Sequence, residues 1–347
     1  FEDLTAIVGF DALFDKTEQR LIATDRIWVP PTDCRSLAPF AQANLKLFDG
    51  LVRLAGGARW ENVEIKIDDY TTIATTTTPR GGVLVNGGSP KFDDVLFNGG
   101  VIIEPAQSIR LYASYAEGFT VPDVGRITRA IGTPGVDLDN FLDISPIISN
   151  NREIGAEVKR GPIDASVTYF WSSSTRGQLL VARPDGIFDV QRQRIEIEGL
   201  ELNLGVQLPI DGLRVSAGYA HILGRTDTNG DDRVDTDLDG TNISPDRLNL
   251  AASFDRGRVS ARVQTQVYFS RTFNGLVRDP RNDFGGYTLT DAYLGYDVGP
   301  GRIILSAQNI FNRQYIDYNS DVRLPTDNLS FFAGRGRTMT LAWDMRF

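Results

Sequence analysis

The last thirteen residues, Arg335 to Phe347, run into strict alternation. Met339, Leu341, Trp343, Met345 and Phe347 are apolar, and Thr338, Thr340, Ala342, Asp344 and Arg346 between them are polar or small. A period of two places one set on each face of a β-strand. The chain stops on the aromatic itself. The last residues of a soluble domain fray in water, where an exposed Phe gains nothing. At the end of a membrane-spanning strand, an aromatic can sit in the interfacial girdle. One such strand decides little, so recurrence of the pattern is what matters.

It does recur. Ala6, Val8, Phe10, Ala12 and Phe14 share a face, and a polar stretch, 15–37, follows. Ala41, Ala43, Leu45 and Leu47 lead to a tight turn at Phe48-Asp49-Gly50, and Val52, Leu54, Ala58 and Trp60 return, opposite Arg53, Arg59 and Glu61. Asp-Gly between two alternating runs is a hairpin signal. Residues 67–92 are rich in Thr and Gly and read as a loop. The rhythm continues through Val95 to Tyr115, Ile154 to Trp171, Ile195 to Tyr219, Leu248 to Phe269 and Ala292 to Val298. Short turns alternate with long loops at 119–149, 182–190, 225–244, 272–285 and 312–334. At Gly199 the alternation slips by one, which predicts a bulge and puts Glu196, Glu198 and Glu201 on the polar side. The strand 302–311 alternates poorly, because Ile303 and Ile304 are adjacent.

The pattern predicts about fourteen strands near ten residues each, a length that crosses a bilayer when tilted. The expected fold class is all-β, a transmembrane antiparallel β-barrel with short periplasmic turns and long extracellular loops. A soluble β-sandwich does not segregate its loop lengths in this way. There is no run of about 18 apolar residues, hence no transmembrane helix. The mean hydropathy of -0.19 suits strands that hide their apolar face by alternation.

Composition removes several functions. One Cys (Cys34) excludes an internal disulfide framework or a Cys-based metal site. One His (His221) argues against a His cluster or a His-dependent triad. A net charge of -9 argues against nucleic acid as a partner. No nucleophile, base and oxyanion set assembles, so an enzyme is not expected. The chain begins on Phe1 without a signal peptide and is read as the mature C-terminal part of something longer.

Several stretches resemble the C-terminal barrel half of TonB-dependent outer-membrane receptors. They are Leu111-Tyr112-Ala113-Ser114-Tyr115-Ala116-Glu117-Gly118-Phe119 with Val121-Pro122-Asp123, Asn151-Arg152-Glu153-Ile154-Gly155-Ala156-Glu157, and Glu198-Gly199-Leu200-Glu201. Asn309-Ile310-Phe311-Asn312-Arg313-Gln314-Tyr315 and Gly334-Arg335-Gly336-Arg337 complete the set. Each is weak alone; their order is specific. Pro122-Asp123-Val124-Gly125-Arg126 further resembles receptors for ferric siderophores of the hydroxamate-citrate type.

The resemblance implies a partial barrel domain over 1–347, belonging to a barrel of about 22 strands around a plug, with the plug absent from this chain. It implies the outer membrane of a Gram-negative bacterium, contact with lipopolysaccharide, and a TonB–ExbB–ExbD complex engaged through an N-terminal region not in this chain. No resident cofactor is expected, and the implied cargo is an Fe(III)-siderophore taken up by TonB-coupled transport. A passive porin-like channel, or a receptor for cobalamin, haem or an oligosaccharide, remains open.

Candidate ligand contacts sit in the long loops: Arg126 and Arg129, then Tyr315, Tyr318, Arg323 and Phe331. Arginines and aromatics suit an anionic iron chelate through charge-assisted hydrogen bonds and stacking. The same side chains could equally pack loops together. Asp227, Asn229 and Asp231 space oxygen side chains as in an EF-hand loop, but the glycine expected at the sixth position is Asp232 and the twelfth residue is Leu238. A solvated acidic loop is the competing reading.

Overall fold

The computed structural model describes residues 3–73, 82–141, 144–182, 188–275, 283–321 and 332–345. It is all-β. The strands are β1 (Leu4–Arg20), β2 (Ile27–Leu47), β3 (Val52–Ile67), β4 (Tyr70–Thr71), β5 (Leu84–Val85), β6 (Lys91–Ala106), β7 (Ile109–Thr120) and β8 (Ile147–Arg160). There follow β9 (Ile163–Ala182), β10 (Phe188–Gln207), β11 (Leu213–Thr226), β12 (Thr236–Asp237), β13 (Arg247–Arg256), β14 (Val259–Tyr268), β15 (Tyr287–Val298), β16 (Gly301–Gln308) and β17 (Thr338–Met345). Two short helices, α1 (Val124–Arg129) and α2 (Tyr318–Asp321), lie in connections. The long strands follow one another in chain order as hydrogen-bonded neighbours, while β4 and β5 pair separately and β12 hangs on β11. Among the described residues that path holds 14 strands, in line with the alternation. The chain forms two compact units: Phe1–Ile102 with Ala113–Arg152 and Ser172–Ile195, and Ile103–Tyr112 with Glu153–Trp171 and Glu196–Phe347.

In the second unit the pairing sorts side chains into two faces. Val263 faces Ala292, Leu294 faces Leu305, Ile303 faces Trp343 and Leu305 faces Leu341. These apolar rows lie open, Leu341 at 74% and Val263 at 47% exposure. A contiguous apolar surface of this breadth is far larger than a soluble protein tolerates. In lipid it loses no solvation energy. The opposite rows are wet: Arg262 faces Ser253 and Tyr293, Gln264 faces Asp291, and Arg302 faces Asp297 and Asp344. Ile304 joins this wet face opposite Gly295, which explains the broken alternation of that strand. β13 and β14 have 10 residues each, about the length a tilted strand needs to cross.

In the first unit the strands are longer. β2 has 21 residues and β3 has 16, and they stay paired from Leu47–Val52 up to Thr32–Ile67. The turn between β2 and β3 takes positive φ at Phe48 (54), Asp49 (55) and Gly50 (90). The polar stretch 15–37 is therefore mostly strand: Asp15 faces Cys34 and Lys16 faces Asp33. Polar side chains on both faces of a strand that rises clear of the apolar band erase the period-two signal. The loop expected at 67–92 likewise contains the β4–β5 hairpin.

Gly199 behaves differently from its expectation. β10 runs through it as one strand. A Cβ there would lie 2.5 Å from the Phe170 ring, while its neighbour Glu198 accepts a hydrogen bond from the Tyr169 hydroxyl. Adjacent residues point to opposite faces, so Glu198 shares the face of Tyr169 and Trp171 and does not line the wet side. The residue types slip at this point; the faces do not.

Candidate functional site

The connections of the first unit are built around an aliphatic cluster. Alternate residues of β3, Val63, Ile65 and Ile67, are buried together with Val85, Val124, Ile127, Ile131, Leu138 and Ile144. Helix α1 supplies two of these, Val124 and Ile127, and Ile131 follows just after it. Asp123 caps it, accepting from Arg126 N at 3.0 Å, a side-chain acceptor for a backbone donor the first turn leaves free. Gly125 lies against β2, where an added Cβ would be 2.9 Å from Val29 Cγ1. The Tyr70 hydroxyl donates to Thr128 O at 2.8 Å, and burial pushes that phenol well above its usual range. Backbone bonds then stitch the following segment to the hairpin: Gly135 N to Leu84 O at 2.9 Å and Leu138 N to Asn86 O at 3.2 Å.

Both arginines proposed in this loop are engaged. Arg126 Nε lies 2.9 Å from Asp123 Oδ2. The Arg129 guanidinium sits over the Trp28 ring, 5.3 Å from its centre. Trp28, at the start of β2, went unnoticed in the sequence because its stretch lacks alternation.

The second unit holds its connections with aromatic rings. Tyr268 stacks on Tyr287 at 4.5 Å, Tyr287 on Tyr315 at 4.6 Å, and Phe284 meets Tyr318 edge-on at 4.8 Å. Tyr315 is half-buried in this stack. Tyr318 is buried, and its hydroxyl donates to Ile243 O at 2.6 Å; its ring is part of the packing. Arg323 and Phe331 lie outside the described residues. The Asn309-Ile310-Phe311-Asn312 stretch is a turn in which both Asn residues take left-handed φ, 48 and 52. Asn309 Nδ2 donates to Arg313 O (2.9 Å) and Arg335 O (3.2 Å), and its Oδ1 accepts from Arg313 N (2.8 Å). Asn tolerates this backbone conformation better than most residues, which is the physical content of that motif.

The acidic loop folds on itself. Asp227 Oδ1 accepts from Gly230 N (2.7 Å) and Asn229 N (3.2 Å), Oδ2 from Asp232 N (2.9 Å). Burial pushes this carboxyl up, and the amides outweigh it, holding it below the usual aspartate range. Asn229 and Asp231 accept from the amides of Asp231 and Arg233. Among the described residues no group of three or more His, Cys, Asp or Glu side chains is placed to hold a metal.

On the wet face of the second unit, β10, β11, β13 and β14 line an open recess of about 550 Å³, with Arg214, Arg247, Arg262, Asn249 and Gln266 in its wall. Arg214 is tied to Asp164, and Arg247 lies 5.7 Å from the centre of the Tyr268 ring. In the sequence Arg262 is one residue of an alternating polar run, with Gln264 and Gln266 after it.

The comparisons with known proteins agree with this architecture. The family model described as TonB dependent receptor-like, beta-barrel matches residues 8–312. The ferric aerobactin receptor of Klebsiella pneumoniae is 23% identical over 343 residues, covering 92% of this chain and 45% of that protein. The rhizobactin receptor of Rhizobium meliloti is 25% identical over 337 residues, covering 90% of this chain and 43% of that protein. The chain thus spans about half the length of the curated relatives it matches. Among solved structures, the copper transporter OprC overlays with a TM-score of 0.78 at 17% identity, over 100% of this chain and 55% of that one. The ferric yersiniabactin uptake receptor FyuA of Yersinia pestis gives 0.74 at 15% identity, over 99% and 51%. With a family model spanning most of its strands and the same strand architecture in the solved relatives, the chain belongs to the TonB-dependent receptor-like β-barrel family.

Proposed function

We propose that this chain is the barrel part of an outer-membrane receptor that takes up a ferric siderophore by TonB-coupled transport. The family's barrels are outer-membrane proteins, and it is a family of receptors and transporters rather than enzymes. The observation that carries the reading is the match over nine-tenths of the chain to receptors named for aerobactin and rhizobactin. The open apolar face and the arginine-bearing wet face support it, since an anionic chelate needs a polar path through an apolar layer. The plug and the contacts with TonB, ExbB and ExbD belong, in this reading, to a region outside these 347 residues. The outer leaflet around the apolar band is lipopolysaccharide of a Gram-negative cell.

The test is uptake of radioactive iron, supplied as ferric aerobactin and a panel of other ferric siderophores, by cells that lack their own receptors and express the full-length protein that carries these 347 residues. Uptake that vanishes on deletion of TonB is the expected result. Uptake that survives the deletion points to a passive channel, and no uptake of any chelate overturns the cargo class.

A further inference from the structure

We infer that the apolar face of the second unit holds one particular lipid: a diacyl phospholipid whose headgroup carries a phosphate and a primary ammonium, with an acyl chain seated in a groove across β10, β11, β13 and β14. The inference rests on the proposed function for the leaflet alone; with the short turns in the periplasm, it is the periplasmic one. The groove is open, about 430 Å³ in volume, and lined by apolar side chains. Val215 faces Ala252, Ala217 faces Leu250 and Ala252 faces Val263, so the two alanines sit among larger neighbours on one face. Leu204, Leu250 and Val263 are exposed and form its walls. A methyl group beside branched side chains leaves a trough. In lipid an acyl chain fills that trough, gaining dispersion contacts with the walls on both sides.

The charges at the end of the groove select the headgroup. On β13 the outward row of Leu250, Ala252 and Phe254 ends in Arg256. Four residues of strand at about 3.3 Å each put Arg256 roughly 13 Å from Ala252. One leaflet of hydrocarbon spans roughly 15 Å, so a single lipid reaches both. Asp255 N donates to Gly212 O at 2.9 Å, which brings the turn after β10 against the turn after β13. Arg256 Nε lies 3.4 Å from Asp211 Oδ2, with both side chains exposed. The two turns carry Asp211, Asp255, Arg256 and Arg258, two charges of each sign. An anionic headgroup meets as many carboxylates as guanidiniums there. A zwitterion satisfies both signs, its phosphate on Arg256 through charge-assisted hydrogen bonds and its ammonium on Asp211. The exposed ion pair opens to it at little cost, because water already screens the pair.

The experiment places the full-length protein that carries these residues in phosphatidylcholine vesicles, whose quaternary ammonium has no hydrogen to give Asp211. A trace of phosphatidylethanolamine or phosphatidylglycerol is added, each with a photoreactive group near the end of one acyl chain, and cross-linked residues are read by mass spectrometry. Leu341, exposed on β17, is the reference for ordinary lipid contact. Relative to Leu341, the groove should be labelled about tenfold more by the ethanolamine lipid than by the glycerol lipid, the ratio that one hydrogen bond to a charged group supports. Asp211→Ala/Arg256→Ala should abolish that preference and leave Leu341 unchanged. Ala252→Leu, at an exposed position, should fill the groove and lower its labelling by both lipids. Groove labelling that shows no headgroup preference means ordinary lipid contact only and overturns the site, as does a preference for the glycerol lipid. Labelling at Leu341 with none in the groove overturns the site and leaves the proposed function standing. Labelling at neither place overturns the membrane-embedded face itself, and the proposed function with it.

Discussion

In the first unit the connections are held by Val, Ile and Leu; in the second they are held by tyrosines and by side chains that bond the backbone. Ile65, Leu138 and Ile144 are each 0% exposed and touch other aliphatic groups. Tyr318 and Asn309 are 6% and 5% exposed, and each is buried with its polar atoms paired. Aliphatic burial is non-directional and scales with area. Buried polar groups instead fix a unique arrangement, because leaving any one of them unpaired is costly. The first arrangement therefore tolerates repacking, and the second specifies geometry.

The largest expected effect tests the aliphatic side. Ile65→Ala removes a fully buried side chain and leaves a cavity, costing about 2–5 kcal/mol. Hydrogen exchange should speed at the amides of Ile127 and Ile131, since α1 packs on the same cluster. Unchanged exchange there would mean that the helix is held by its hydrogen bonds to Tyr70 and Gln178, and the contrast between the units would collapse.

Asn309→Ala probes the other side. Asn already carries a Cβ at φ 48, so the backbone term is small, and the change removes three side-chain bonds worth about 1 kcal/mol each. A total near 3 kcal/mol is expected, read as faster exchange at Arg313 and Arg337. Asn309→Gly should recover the backbone part alone. If Gly restores the parent, the bonds to Arg313 and Arg335 carry nothing, and the second unit is held by ring stacking.

These two positions also mark what could be read from the sequence. Alternation is a local signal, so the strand path and the two faces were legible wherever one face meets lipid. It fails above the apolar band, where β1 and β2 turn polar on both sides, and it misleads at Glu198, which sits on the apolar face beside Tyr169. The aliphatic cluster was invisible because Ile65 and Leu138 lie far apart in the chain and meet only through the β2–β3 extension. The Asn309 turn was visible as a motif without its cause. Arg126, Arg129, Tyr315 and Tyr318 were legible as residue types suited to an anionic ligand, but an unaligned sequence holds no signal for whether a ring faces a vestibule or another ring.

A smaller effect separates stacking from hydrogen bonding within the aromatic cluster. Tyr318→Phe keeps the edge contact with Phe284 but leaves Ile243 O without its donor. An unsatisfied buried carbonyl costs about 1–3 kcal/mol. Proteolysis in the 239–246 connection should accelerate. If it does not, the ring alone anchors that connection, and the tyrosines of the second unit act as the aliphatic residues of the first unit do.

The smallest effect is a pH dependence with an unusual sign. Burial holds the Asp239 carboxyl above the usual aspartate value of 3.8, and the bonds from Asn242 Nδ2 (2.7 Å) and Thr241 N (3.0 Å) pull it only partly back. A carboxyl raised in the folded state loses its proton first in the unfolded one. Its contribution is complete below the unfolded value and declines as pH rises through the folded value. Acidification from neutral pH should therefore tighten the 239–243 turn, opposite to the usual behaviour of paired carboxylates. Asp239→Asn keeps an Oδ1 that accepts both bonds and removes the titration. Exchange at Ile243, whose amide donates to Asp239 O at 3.1 Å, should slow relative to the parent at neutral pH. The two proteins should converge in acid. A variant that loosens the turn at every pH would show that the charge itself is needed, and that this buried polar network is organised around an ion.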